Sequence, residues 1–188
     1  GHSHIVAVED YTKFRVIGRT IDDAAGEAFD KVSRTLGLGY PGGPAVSKAA
    51  LSGDKFKYKL PTPHTENKYD VSFSGLKTAV INTFNTNNMK GEPTDINSLA
   101  ASYEEKISQI LSDNLVNAAE EFGFDTLAIA GGVAANRRLR ELIEQKAKGK
   151  LSSEWDDIDV ANFNYKEYLL ERNSTYPEGA PFYKEYWE

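Results

Sequence analysis

The order of apolar and polar positions is clearest between residues 95 and 148. Leu99, Tyr103, Ile107, Ile110, Leu111, Leu115, Ala118 and Phe122 recur mainly at spacings of three and four, which places them on one stripe of a long helix. Gly123 ends that stripe, since glycine takes up the left-handed cap that stops a helix. The next segment, "TLAIA", is too short for a helix and almost wholly apolar, which predicts a parallel strand covered on both faces. Gly131 and Gly132 follow, and then a second helix is predicted through about residue 148. Helix, buried strand, glycine pair and helix make a layered α/β pattern.

The first half is more broken. "HIVAVEDYTKFRVIGRT" predicts two strands, with Ile5 and Ala7 alternating in the first, Phe14 and Val16 in the second, and a turn over residues 9–12. Asp22 or Asp23 is placed to cap a helix that runs to about Leu36, with Ala25, Ala28, Phe29, Val32 and Leu36 on its buried stripe. Gly37 and Gly39 end it, and a short helix is expected over residues 44–51. Residues 53–70 carry Pro61 and Pro63 and suggest loop with some extended structure. "YDVSFSGLKTAV" combines apolar alternation with a Ser-Gly-Leu-Lys-Thr turn. There is no internal repeat and no low-complexity segment.

Composition adds a boundary to this picture. The chain has 188 residues, 40% of them hydrophobic, enough for one substantial core and one or two domains. Of its 28 acidic and 22 basic residues, nine and three lie in residues 151–188, leaving 19 of each before them. The last 38 residues also hold both tryptophans, so a division into 1–150 and an acidic, aromatic segment 151–188 is expected. Cysteine is absent, which excludes disulfides and thiolate metal sites and suits a reducing compartment such as the cytoplasm. No apolar run reaches the roughly 18 residues of a membrane span, and no signal-peptide pattern opens the chain. Met89 is the one methionine, so the sequence reads as a fragment or processed piece of a longer protein.

Four places could carry chemistry. Gly131 and Gly132, at the end of a predicted buried strand, let main chain approach a ligand, and the helix after them offers free N–H groups. The alternative is a plain strand-to-helix turn; Asn136, whose amide can donate and accept, favours a site. In "IDDAAGEAFDKVSRTLGLGYPGGP", Asp23, Glu27 and Asp30 share one helical face beside a Pro-Gly-Gly-Pro loop whose Gly42 and Gly43 expose N–H groups. Taken singly these acids would be solvated surface; with the loop they suit sugar hydroxyls rather than phosphate. Lys77 is expected on the surface, and no P-loop spacing surrounds it. His2 and His4 would point the same way on a strand, but with His64 the only other histidine no complete metal site is expected.

"GHSHIV", the acidic helix with its "GYPGGP" loop, "SFSGLKTAV" and "AIAGGVAANRRLR" occur in the order found in the TsaD/Gcp family, which residues 1–150 closely resemble. The family's members are tRNA threonylcarbamoyladenosine transferases, once called O-sialoglycoprotein endopeptidases. The resemblance implies an actin-like (ASKHA) ATPase lobe, an RNase-H-like mixed sheet with helices on its faces. It implies a cleft for threonylcarbamoyl-AMP or ATP, whose threonylcarbamoyl group passes to the adenosine beside the tRNA anticodon. On that resemblance Gly1 matches the last residue of a phosphate loop, Asp30 and Gly43 hold the nucleoside, and Asn136 belongs to the second nucleotide motif. Gly42, Gly131 and Gly132 would supply pocket backbone. A paralogous ASKHA subunit, the ATPase of the threonylcarbamoylation complex, and tRNA bound through the full-length enzyme are the partners implied.

Two features depart from the family. Its H-x-x-x-H lobe is absent, and residues 151–188 do not resemble its Asp-bearing ending, so the family's iron or zinc site is expected to be missing. Asp156, Asp157 and Asp159 are the nearest acids and receive no metal role. No catalytic residue is assigned, and this chain alone is expected to be inactive. The second expectation is a non-catalytic assembly or dimerisation module that binds a paralogous subunit; a third and weaker one is another ASKHA ATPase such as a sugar kinase. Direct tRNA binding by this chain is not expected, because its charge balance offers phosphate no net attraction.

Overall fold

The computed structural model describes residues 2–10 and 12–148. Gly1 and the expected second segment, 151–188, lie outside the described residues.

Two antiparallel strands, β1 (His4–Asp10) and β2 (Lys13–Arg19), come first. Val6 faces Val16 and Val8 faces Phe14, with register shifts between Ile5 and Val6 and between Val8 and Asp10. Those shifts change which side chains turn inward. Ala7 and Gly18 are buried, whereas Val8, Phe14 and Val16 are exposed, contrary to the simple alternation predicted for β2. Gly18 is needed where β2 crosses the chain at Tyr69, because a Cβ there would lie 2.1 Å from the Tyr69 carbonyl oxygen.

Helix α1 (Ala25–Leu36) follows, ended by Gly37 at φ 69° as expected. Its beginning differs from the prediction. Neither Asp22 nor Asp23 caps it; Ala24 occupies the N-cap without a side-chain bond, and the Ser3 hydroxyl accepts from the Ala25 N–H at 3.0 Å. Helix α2 (Gly42–Ala50) starts two residues earlier than predicted. Helix α3 (Ser74–Lys90) replaces the predicted turn after an apolar stretch. Asp22 explains its start: the carboxylate accepts from the Phe73 N–H at 2.8 Å, the Ser74 N–H at 3.3 Å and the Ser72 hydroxyl at 2.5 Å. A cap supplied from fifty residues away leaves no local signal.

Helix α4 (Ile96–Phe122) is the long predicted helix, capped at its start by the Asp95 carboxylate on the Ser98 N–H and ended by Gly123. The segment predicted as a buried strand is not one. Residues 124–130 form neither helix nor strand, are mostly exposed, and pair with no strand among the described residues, so they have neither a ladder nor two covered faces. A short 3-10 helix (Gly132–Ala135) and helix α5 (Arg137–Ala147) complete the order.

The core lies among the helices. Phe29 and Val32 of α1, Val46 of α2, Leu76 and Val80 of α3, and Leu99, Tyr103 and Ile107 of α4 are all at most 2% exposed. Phe29 meets Tyr103 edge-on at 5.3 Å between ring centroids. Each such apolar side chain contributes about 1.5–3 kcal/mol by leaving water. The described residues thus form a mixed α/β unit with five α-helices and a two-stranded sheet.

Candidate functional site

The acids of α1 and the turn before it separate into three tasks. Asp22 holds the start of α3. Hydrogen bonds from Ser72, Phe73 and Ser74 outweigh the upward push of its partial burial and leave its pKa below the ordinary carboxylate value. Asp23 lies between two ammonium groups, Lys31 at 2.5 Å and Lys77 at 2.7 Å, which depress its pKa in that order. Lys77 is therefore not the surface lysine that was expected: its side chain is 20% exposed and tied across to Asp23. Glu27 pairs with Lys31 at 2.7 Å. Asp23 also lies outside α1, so it does not share a helical face with Glu27 and Asp30.

Asp30 turns to the Pro-Gly-Gly-Pro loop. Its Oδ1 accepts from the Gly42 N–H at 2.7 Å, an acidic cap on the first turn of α2. Gly42 permits this approach: a Cβ at that position would stand 2.4 Å from the Asp30 Cα, whereas a Cβ at Gly43 would meet nothing within 4 Å. Gly43 is thus open to a ligand and Gly42 is filled by the fold. The Ser33 hydroxyl fastens the loop from behind, donating to the Gly39 carbonyl at 2.6 Å, and the Tyr40–Pro41 peptide is cis.

Asn136 reaches the same helix from the other direction. It is the N-cap of α5, with its Oδ1 accepting from the Leu139 N–H at 2.9 Å. Its Nδ2 donates to Ser47 Oγ at 3.1 Å and to Glu104 Oε1 at 2.8 Å, joining α5 to α2 and α4. Gly131 takes φ 88° and leads Gly132 into the 3-10 helix, whose Val133 packs close to Gly26 of α1. Gly131 and Gly132 are exposed, and their turn follows an irregular segment rather than a paired strand. Asp30, Gly43 and Asn136 therefore gather along one short stretch of α2, between Gly42 and Ser47, about 7.5 Å at the helical rise. Gly1 lies outside the described residues.

Sequence reasoning missed Ser47 and Glu104, whose contacts with Asn136 span 89 and 32 residues and leave no spacing to read. Beside them Glu105 is 6% exposed and bound by Arg138 through Nε at 2.5 Å and Nη2 at 3.0 Å. Burial raises the Glu105 pKa, but Arg138 and then Lys55 outweigh it, so the carboxylate stays charged and clamps α5 to α4. A hollow of about 610 Å³ runs along the Pro44, Ala45, Lys48 and Ala49 side of α2 and includes none of Asp30, Gly43 or Asn136. Among the described residues no three His, Cys, Asp or Glu side chains converge on a point, so they do not fit a family metal; His2 and His4 rings lie 5.4 Å apart without a third ligand.

Carboxylates and an asparagine thus meet around one glycine-started helix of a mixed α/β unit. Comparison with known proteins narrows this. Residues 1–153 match the model of the TsaD family, described as tRNA N6-adenosine threonylcarbamoyltransferase, and the chain belongs to that family. It is 50% identical over 146 residues to the tRNA N6-adenosine threonylcarbamoyltransferase of Desulfitobacterium hafniense, covering 77% of this chain and 43% of that protein. The protein of the same name from Gloeobacter violaceus is 48% identical over 145 residues, covering 77% and 42%. That of Caldicellulosiruptor saccharolyticus is 47% identical over 165 residues, covering 88% and 48%. The chain thus spans less than half the length of these relatives. The family implies the ASKHA ATPase fold, with which the mixed α/β unit is consistent. No helix among the described residues is long and apolar enough to cross a membrane.

Proposed function

We propose that Asp30, Gly43 and Asn136 form one wall of a nucleoside site, and that the protein of full family length transfers threonylcarbamoyl to N6 of a tRNA adenosine. The relatives' shared name supports the reaction. The observation that carries the site is the convergence of the three residues on the first turns of α2. Asp30 uses Oδ1 on Gly42 and keeps its other oxygen for a hydroxyl of the sugar. A carboxylate at this helix start repels phosphate, so the ribose rather than the phosphate of threonylcarbamoyl-AMP or ATP lies against it. Gly131 and Gly132 supply open backbone nearby, and Gly1 would face the phosphate. The transfer takes place in the cytoplasm, with tRNA bound by the whole enzyme and with a paralogous ASKHA subunit and an ATPase as partners.

Titration of AMP and ATP into the chain, followed by calorimetry or NMR shifts, tests this. Asp30→Asn keeps an oxygen for the Gly42 N–H and removes the charge. A hydrogen bond to a charged acceptor contributes about 1.5–3 kcal/mol, so binding should weaken roughly ten- to a hundredfold. Lys90→Ala, at an exposed position of α3, should leave it unchanged. Equal affinities in wild type and Asp30→Asn would reject the assignment.

A second reading, an assembly module that docks on a paralogous subunit, draws on the outer face of the hairpin, where Val6, Val8, Phe14 and Val16 are each more than 40% exposed. Apolar side chains gathered on one face suit contact with another protein.

A further inference from the structure

The loop after α2 alternates cations with rings: Lys55, Phe56, Lys57, Tyr58 and Lys59 follow one another. It is pinned to α4 on both sides. The Asp54 N–H donates to Ser98 Oγ at 3.0 Å and the Tyr58 N–H to Ser102 Oγ at 3.2 Å. Between these anchors the Phe56 N–H donates to Asp54 Oδ1 at 2.9 Å. Phe56 is thus held on the outside of an anchored loop, 73% exposed, with the Lys55 ammonium 5.1 Å from its ring centre. Tyr58 is tied down instead, its hydroxyl accepting from the Asp95 N–H at 3.3 Å. The hollow along α2 leads to this loop. Tyr40, 83% exposed, lines it before the helix, Ser52 lines it after the helix, and Lys48 lies between them.

The acids beside the loop are engaged. Asp54 accepts from Phe56, Asp95 pairs with Lys57 at 2.7 Å, and Glu105, 3.4 Å from Lys55, is held more closely by Arg138 at 2.5 Å. Lys48 and Lys59 are exposed and enter no ion pair among the described residues. Residues 1–150 are neutral as a whole, so the surplus of positive charge is local to this surface. We propose that it binds a single-stranded segment of RNA, with phosphates against Lys48 and Lys59 and an unpaired base stacked on Phe56. A ring flanked by cations suits the face of an unstacked base, whatever the base. A duplex keeps those faces hidden. A protein partner fits less well, because lysine is depleted at the centres of protein interfaces. The proposal deepens the proposed function and rests on it only in taking the strand to be RNA; it does not require the nucleoside site.

The test uses the full 188-residue chain and a short dye-labelled RNA without self-complementarity, alone and annealed to its complement, read by fluorescence anisotropy over a series of salt concentrations. Wild type should bind the single strand at low salt and the duplex more weakly. Phe56→Ser should weaken single-strand binding about five- to a hundredfold, whereas Phe56→Trp, which keeps a ring, should not. Lys48→Gln with Lys59→Gln should make the plot of log affinity against log salt shallower by about 1.4, the share of two phosphate contacts on a single strand. Wild type that binds no RNA at low salt overturns the proposal, as does equal binding of strand and duplex or a Phe56→Ser variant that binds like wild type. Self-association that Phe56→Ser abolishes, with RNA binding unchanged, also overturns it and gives the surface to a protein contact. AMP titrated into the same samples reads the nucleoside site separately. RNA binding that responds to Phe56 without any AMP binding rejects the nucleoside reading and supports this surface; AMP binding without RNA binding does the reverse.

Discussion

Phe29 and Phe14 are the same side chain in opposite circumstances. Phe29, on α1, is 2% exposed and rests edge-on against Tyr103 of α4, while Phe14, on β2, is 61% exposed beside Val8 and Val16. Both belong to apolar patterns that predict burial. The difference lies in the partner layer. Helices α1, α2, α3 and α4 turn their stripes toward one another and close a core, whereas among the described strands β1 and β2 form a two-stranded sheet that is joined to the chain at Asp70 and Val71 only at the end of β2, away from Phe14. Apolar patterning says which face seeks cover; a second element must supply it.

The largest expected effect would come from exchanging those two phenylalanines for small residues. Phe29→Ala should cost about 3–5 kcal/mol, the usual range for emptying a packed aromatic site. Phe14→Ser should stay within about 0.5 kcal/mol, as for other surface changes. Urea unfolding followed by circular dichroism measures both. A large loss from Phe14→Ser would break the comparison, because it would mean that the hairpin face is covered in solution.

A smaller effect separates the two glycines of the loop. Gly42→Ala drives a methyl group into the Asp30 backbone and should cost about 1–3 kcal/mol through overpacking. Gly43→Ala meets open space in the first turn of a helix, and alanine favours a helix over glycine by up to about 1 kcal/mol. Thermal unfolding should move in opposite directions for the two variants. Equal shifts would mean that α1 and α2 do not touch as described.

The smallest effect sharpens the helical side by pH. The Lys57 ammonium, followed by the Ser98 N–H and hydroxyl, lowers the Asp95 pKa to about 2. The folded value lies below the unfolded one, so this contribution is complete above about pH 4 and is lost as the pH falls through about 2. Helix content measured from pH 5 to pH 2 should fall less steeply in Asp95→Asn than in wild type. Identical acid profiles would remove Asp95 from the stability of α4.

How far the sequence could be read follows the same division. Helix α4 was legible because its stripe and Gly123 both lie within the segment itself. Helix α3 was not: among its residues only Leu76 and Val80 are buried, it is rich in Asn and Thr, and its first turn is held by Asp22 from a distant turn. The segment "TLAIA" carried an apolar pattern for a strand, yet a strand also needs a neighbour, and none of the described strands pairs with it. At the site, the match of Asp30, Gly43 and Asn136 to family motifs was visible, but their meeting on α2 required the fold. Ser47 and Glu104 could be found only from that meeting.

Gly42 gives the helix pair a mechanical property. Where side chains meet, a shift is absorbed by a change of rotamer; at Gly42 the main chain of α2 lies directly on the main chain of α1, which has no rotamer to change. The junction is a hard fulcrum. Ser47 lies five residues farther along α2, so a tilt of about 10° about Gly42 would swing it by roughly 1.3 Å at the helical rise. That displacement is enough to open the 3.1 Å bond from Asn136. A tilt of α2 about Gly42 thus works a short lever whose far end holds the amide of Asn136.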